Sequence, residues 1–207
     1  MPLESLDFDP ELRPLPPAAL RLLRDADGRI DALRRADRGA LGSGGLGSFV
    51  PADYALVFAG LDAVRGGRLA PGGLLVEWGS GLGVAACLAS LLGYEAAGIE
   101  AQPALVEQAE DLAAEHGFEV AFAHGSFVPP EHDALADVAD DLATLALGLA
   151  DGHAELGLDP ADAALVYAYP WPGEEAVVEA VFDACAATGA LLLTYRSAGG
   201  LVLQRKR

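Results

Sequence analysis

The sequence predicts an α/β fold: a mostly parallel sheet with helices on both faces, an antiparallel edge and an N-terminal helical extension. Three observations carry this. From Leu74 onward, short apolar β runs alternate with amphipathic helical segments, which is the pattern of a parallel sheet covered on both sides. The β runs lack polar alternation, as strands buried on two faces do. The last two runs, "ALLLTYR" and "LVLQRK", flank a short "SAGG" turn and are close enough to pair as an antiparallel hairpin.

The elements follow in order. Residues 1–17 are Pro-rich and acidic and read as an arm. Residues 18–36 place Leu20, Leu23, Ile30 and Leu33 at helical spacing. "GALGSGGLGSFVPADY" is a glycine-rich loop that must either move or pass close to something, unless it is a plain linker. A second helix carries Tyr54, Val57, Phe58, Leu61 and Val64 on one face. "LLVEW" is a strand, and "GVAACLASLLG" is a helix with Val84, Cys87, Leu88, Leu91 and Leu92 inward. "AAGIE" is the next strand, 102–116 a helix, and "EVAFAHG" a third strand. A helix near 133–150 turns Leu135, Val138, Leu142, Leu145 and Leu149 inward. "AALVYAY" is a strand, 174–187 a helix, and the hairpin closes the chain. The division is an arm, helix and glycine-rich loop over 1–47, then a sheet domain over 48–207.

Composition narrows the function. The net charge of −18 and the lack of any basic footprint beyond Arg205-Lys206-Arg207 exclude nucleic acid as the expected partner, and an anionic membrane surface with it. The N-terminus has neither a basic n-region nor an apolar core, and no apolar run approaches the ~18 residues of a membrane span. A cytoplasmic protein is expected. Cys87 and Cys185 sit in Ala-rich helical patterns and read as small buried hydrophobes rather than as metal ligands or a disulfide. His116, His124, His132 and His153 make no metal-ligand spacing and read as surface or loop residues; His124 and His132 can alternatively act as bases.

In open parallel sheets, ligands sit at the carboxyl ends of the strands, and the unusual residues fall there. "VEWGSGLGVAA" puts Glu77 at the end of a strand, and Gly79, Gly81 and Gly83 turn the chain into a helix. Glycine allows positive φ and close backbone approach, and the helix N-terminus offers free N–H groups. The spacing is G-x-G-x-G, with Val84 where a dinucleotide fingerprint has its third glycine or alanine. An acid beside the turn repels a pyrophosphate and attracts a cation. S-adenosyl-L-methionine carries an ammonium and a sulfonium and no phosphate, so charge favours it over NAD. Glu100 ends the next strand, about 20 residues past the glycines, where an acid takes ribose hydroxyls. Ala101 and Gln102 then lie along the adenine. Gly125, Ser126 and Phe127 of "HGSF" border it.

From about 48 to 172 the chain resembles class I S-adenosylmethionine-dependent methyltransferases. "VEWGSGLG" matches their first motif, "GIE" the ribose acid, "HGSF" the adenine contact and "LVYAYPWP" the fourth-strand substrate motif. "GSFVPADY" followed by "GGLLVEWGSGLG" is similar to the non-SET protein-lysine methyltransferases, in which a segment before the glycines helps close over the cofactor. The resemblance implies a Rossmann-like fold, S-adenosylmethionine-dependent methyl transfer, and cofactor roles for Phe49, Val50 and Tyr54. Two departures stand out: Ser126 replaces the common Asp, and little chain follows the fifth strand. A substrate cap must then come from the arm, the first helix or 128–160.

The corner "YAYPWPGEE" follows the fourth strand of that pattern. Amine-directed methyltransferases often carry Asn/Asp-Pro-Pro-aromatic here, and this chain has Tyr169-Pro170-Trp171-Pro172. Losing the Asn/Asp argues against N-methylation of a planar base. Tyr169 and Trp171 instead form an aromatic wall for a cationic amine, the acceptor being a protein lysine or a small molecule. Trp171 as a plug of the sheet end is the bland alternative. Glu174 and Glu175 suit a helix start. A non-catalytic S-adenosylmethionine-binding or scaffold protein remains the alternative function.

Overall fold

The computed structural model describes residues 3–37, 50–132, 148–196 and 200–207. Its elements are β1 (Glu4–Ser5), α1 (Pro17–Asp37), α2 (Tyr54–Gly66), β2 (Leu74–Trp78), α3 (Val84–Leu91), β3 (Glu95–Glu100), α4 (Pro103–His116) and β4 (Val120–His124). They continue with α5 (Gly152–Glu155), β5 (Leu165–Ala168), α6 (Glu175–Cys185), β6 (Leu191–Arg196) and β7 (Gly200–Arg205). Single 3-10 turns occupy Pro130–His132 and Pro160–Asp162. The helix expected near 133–150, Phe49 and most of the glycine-rich loop lie outside the described residues.

The seven strands form one sheet in the order β1-β7-β6-β5-β2-β3-β4. β2 pairs in parallel with both β3 and β5, β3 with β4, and β5 with β6. The order therefore reverses at β2, which opens a crevice above its carboxyl end. β6 and β7 form the expected antiparallel hairpin. The Pro-rich arm supplies a further strand: Glu4 and Ser5 pair antiparallel with Arg205 and Gln204, and the Leu6 N–H donates to the Leu203 carbonyl at 2.9 Å. Glu4 also meets Arg205 and Arg207 at 3.9 and 3.2 Å, so charge as well as backbone pairing holds the arm at the edge.

Side-chain alternation sorts the sheet into two faces. Leu75, Tyr167, Leu191, Leu193 and Leu203 pack under α1, α2, α3 and α4 in one cluster. Val76, Trp78, Val166 and Leu192 pack against Val177, Val178, Val181 and Phe182 of α6 in the other. Each such fully buried aliphatic or aromatic side chain contributes about 1.5–3 kcal/mol relative to exposure. α1 packs Ile30, Leu23 and Leu33 against the core as their spacing suggests, but turns Leu20 outward. Ala19, Leu22, Ala26 and Ile30 are buried, whereas Leu20 is 48 % exposed. The small alanines let α1 lie close against α3 and α4, and that contact sets the helix rotation.

Candidate functional site

The site grows from the end of β2. Glu77 and Trp78 are neighbours on a strand, so their side chains leave opposite faces. Glu77 is buried, and its Oε2 accepts the Ala86 N–H at 2.8 Å. The strand residue thereby satisfies one of the free N–H groups of the first turn of α3. Burial pushes the Glu77 carboxyl up to about 8, with the Ala86 hydrogen bond opposing and the Glu100 charge adding to the rise.

The turn itself needs glycine. Gly79, Gly81 and Gly83 have φ of 69°, 54° and 67°, in the left-handed region. The N–H groups of Gly79 and Ser80 both donate to the Ile99 carbonyl at 2.9 Å, which seats the turn on β3. A side chain at Gly83 would meet the Phe122 ring at 2.3 Å, so this glycine also permits close packing of α3 on the sheet. At Gly79 a Cβ would meet nothing within 4 Å, so the turn's first residue faces open space.

Glu100 closes the turn from the other side. Its Oε2 accepts the Gly81 N–H at 2.8 Å and its Oε1 the Gln102 N–H at 2.9 Å. It is buried, and burial raises its pKa, with the Gly81, Gln102 and Ala101 N–H groups and His124 opposing. Among the described residues neither Glu77 nor Glu100 forms an ion pair. Among the described residues the second oxygen of Glu77, Oε1, accepts no hydrogen bond.

After β4, the Gly125 N–H donates to the Glu100 carbonyl at 3.0 Å, keeping this loop beside β3. The Ser126 hydroxyl is committed locally: its Oγ accepts the Val128 N–H at 3.0 Å, and its backbone bridges to Asp151. Phe127 stacks on Trp78 with ring centroids 5.0 Å apart and planes 11° apart.

The face carrying Glu77 continues sideways through tyrosines. Glu77 is in register with Tyr167 on β5. Tyr169 lies two residues on, and its ring meets Tyr195 edge-to-face at 4.8 Å. Tyr54 sits at the start of α2, where Asp53 caps the helix by accepting the Ala55 and Leu56 N–H groups. Burial and the Glu77 charge raise the phenols of both Tyr54 and Tyr167. The hydroxyls of Tyr167 and Ser80 are buried with no hydrogen-bond partner among the described residues. Beyond the strand, Trp171 is 40 % exposed. The acids after it hold the corner: Glu174 accepts the Trp171 N–H at 3.2 Å and Glu175 the Gly173 N–H at 2.8 Å.

The structure thus brings Glu77, Gly79, Gly81, Gly83, Glu100, Ala101 and Gly125 to one end of the sheet, with Tyr54 and Tyr169 on the Glu77 face. Tyr167 and Tyr195 join them although sequence reasoning gave them no role; the i, i+2 alternation from Tyr169 to Tyr167 is the signal that finds the first. His153, read as a surface or loop residue, is 1 % exposed. Its burial comes from tertiary packing that no local pattern announces.

No family model and no curated protein matches the sequence. Solved structures do match. A methyltransferase from Geobacter sulfurreducens superposes with a TM-score of 0.52 over 95 % of this chain and 93 % of its own, at 14 % identity. An RNA methyltransferase from Salinibacter ruber, solved with S-adenosyl-L-homocysteine, superposes with a TM-score of 0.50 over 76 % of this chain and 92 % of its own, at 20 % identity. The fold is that of the class I S-adenosylmethionine-dependent methyltransferases. In this methyltransferase fold the glycine turn after β2 and the acid ending β3 flank the switch point of the sheet. Among the described residues, no helix is long and apolar enough to cross a membrane, and no group of His, Cys, Asp or Glu could hold a metal ion.

Proposed function

We propose that the chain is an S-adenosylmethionine-dependent methyltransferase acting on an amine nitrogen of a protein lysine or a small molecule. One observation carries the cofactor: two buried carboxylates, Glu77 and Glu100, flank a glycine turn and have no cation partner among the described residues. An adenosyl ligand with a positive charge and a ribose diol fits that pair of acceptors, and an anionic pyrophosphate does not. Glu100 takes the ribose hydroxyls, and Ala101, Gly125, Ser126 and Phe127 border the base. Glu77 faces the ammonium. Gly79, Gly81 and Gly83 let the backbone approach, and Phe49 and Tyr54 close the amino-acid end.

Bound S-adenosylmethionine supplies an electrophilic methyl group on a sulfonium. The chain's part is to bind, align and exclude water, which provides most of the rate of such a transfer. Tyr169, held edge-on by Tyr195, and the exposed Trp171 form the acceptor wall, where aromatic faces favour a cationic amine, which gives up its proton to solvent before its nitrogen lone pair takes the methyl group. The charge of −18 supports a cationic acceptor over RNA, although one structural neighbour is an RNA methyltransferase.

Transfer of labelled methyl groups from S-adenosylmethionine to protein, amine and RNA pools tests this reading. Label in a protein or amine fraction, lost in Tyr169→Ala, is the expected result. Label in RNA alone would replace the acceptor class. Cofactor binding with no label in any pool would replace the enzyme with a binding protein.

A further inference from the structure

Trp78 directly precedes the glycine turn, and its indole points to the face opposite Glu77. There its Nε1–H donates to Nε2 of His153 at 3.1 Å. The two rings also meet edge-to-face, with centroids 5.8 Å apart and planes at 86°. The other side of the indole carries Phe127 in a stack. His153 comes from α5, whose first N–H groups are capped by Asp151, and Asp151 bridges in parallel to Ser126. A closed circuit therefore runs Ser126, Phe127, Trp78, His153, Asp151 and back to Ser126. It ties the glycine turn to the loop after β4.

We propose that His153 is a positioning residue of the cofactor site: by accepting the Trp78 indole N–H it fixes the ring on which Phe127 rests. This rests on the reading of that site as one for an adenosyl cofactor.

The chemistry is directional. An indole nitrogen only donates, so Nε2 of His153 must be unprotonated and the neutral ring carries its proton on Nδ1. Among the described residues that buried Nδ1 has no hydrogen-bond partner, and Asp151 Oδ1 stands 3.7 Å away. A second proton puts two donors face to face and breaks the contact with Trp78. Among the described residues, the charged groups acting on the imidazole are Asp151, ahead of α5, and Asp159, ahead of the 160–162 turn; both favour protonation, and burial outweighs them, lowering the pKa. Trp78, the β2 residue that meets the imidazole, carries no charge. The neutral, accepting form is the one present at neutral pH, and acid removes it.

The test is S-adenosylhomocysteine binding by calorimetry as a function of pH, with thermal unfolding measured alongside. His153→Gln keeps an acceptor oxygen that does not titrate. It should bind like the wild type near neutral pH and lack part of the wild type's loss of affinity on acidification. His153→Leu, which leaves the indole N–H unpaired, should bind about tenfold more weakly at every pH at which it stays folded. Subtracting the Gln profile removes the titration of Glu77 and Glu100, which both proteins share. A Gln variant with the full wild-type acid loss overturns the proposal, as does a folded Leu variant with wild-type affinity. A wild-type chain that binds no S-adenosylhomocysteine overturns the cofactor reading itself.

Discussion

Glu100 and Gly81 are joined by a 2.8 Å hydrogen bond from the glycine N–H to the carboxylate, so the residue proposed to hold the ribose already holds the turn. The same carboxylate accepts the Gln102 N–H, the cap of α4. Replacing it acts twice. Glu100→Gln leaves an amide nitrogen facing one of two backbone donors and should cost about 2 kcal/mol of stability, read by chemical denaturation. Its loss of cofactor affinity should exceed tenfold.

Gly79 and Gly83 separate binding from folding. Both have positive φ, but only Gly83 is packed, with Phe122 and Ala109 around its missing Cβ. Gly83→Ala combines backbone strain with overpacking and should cost about 3 kcal/mol. Gly79→Ala carries the strain alone, about 1 kcal/mol, and projects a methyl into open space at the turn. It should lower cofactor affinity with little change in melting temperature.

Glu77 predicts a pH dependence. With its carboxyl pushed up to about 8, the folded chain holds a proton at neutral pH that the unfolded chain has released. This contribution to stability is fully present below the ordinary glutamate pKa of about 4.3 and is lost as pH rises through about 8. A cationic ligand favours the ionised form, so binding at neutral pH should release a proton, and affinity should climb toward pH 8. Calorimetry in buffers of different ionisation enthalpy reads the proton directly. Glu77→Gln should release none.

Tyr167 is the fourth probe. Its buried hydroxyl has no partner among the described residues, so Tyr167→Phe removes an unsatisfied group and should raise stability by about 0–1 kcal/mol. It lies in register with Glu77 and feels its charge. If that hydroxyl faces the amino-acid end of the cofactor, the variant should lose affinity for S-adenosylhomocysteine and not for methylthioadenosine, which lacks the amino acid. Equal affinities for both ligands across the two proteins would remove Tyr167 from the site.

Much of this was legible in the sequence because strand ends and glycine turns are local features. The run from Val76 to Gly83 defines a strand, a turn and a helix start in eight residues, and Glu100 follows at the end of the next strand. What was hidden depends on long-range packing. β1 is two residues in a Pro-rich arm, too short to show a period, and exists because β7 offers an unpaired edge. The rotation of α1 is set by Ala19 and Ala26 rather than by Leu20, since closeness of approach outweighs side-chain size. His153 is buried by Trp78, a residue 75 positions earlier, and nothing around it in sequence marks it. Trp171 could be placed at the corner, but its exposure depends on how Glu174 folds the corner back.

The proposed function requires the carboxyl end of β2 and β3 to bind an adenosyl cofactor through Glu77, the glycine turn and Glu100. Calorimetric titration of S-adenosylhomocysteine into the wild type and Glu100→Ala tests it most directly. A one-to-one complex for the wild type and its loss in a folded variant are expected. No heat of binding in the wild type, or undiminished affinity in the folded variant, would contradict it.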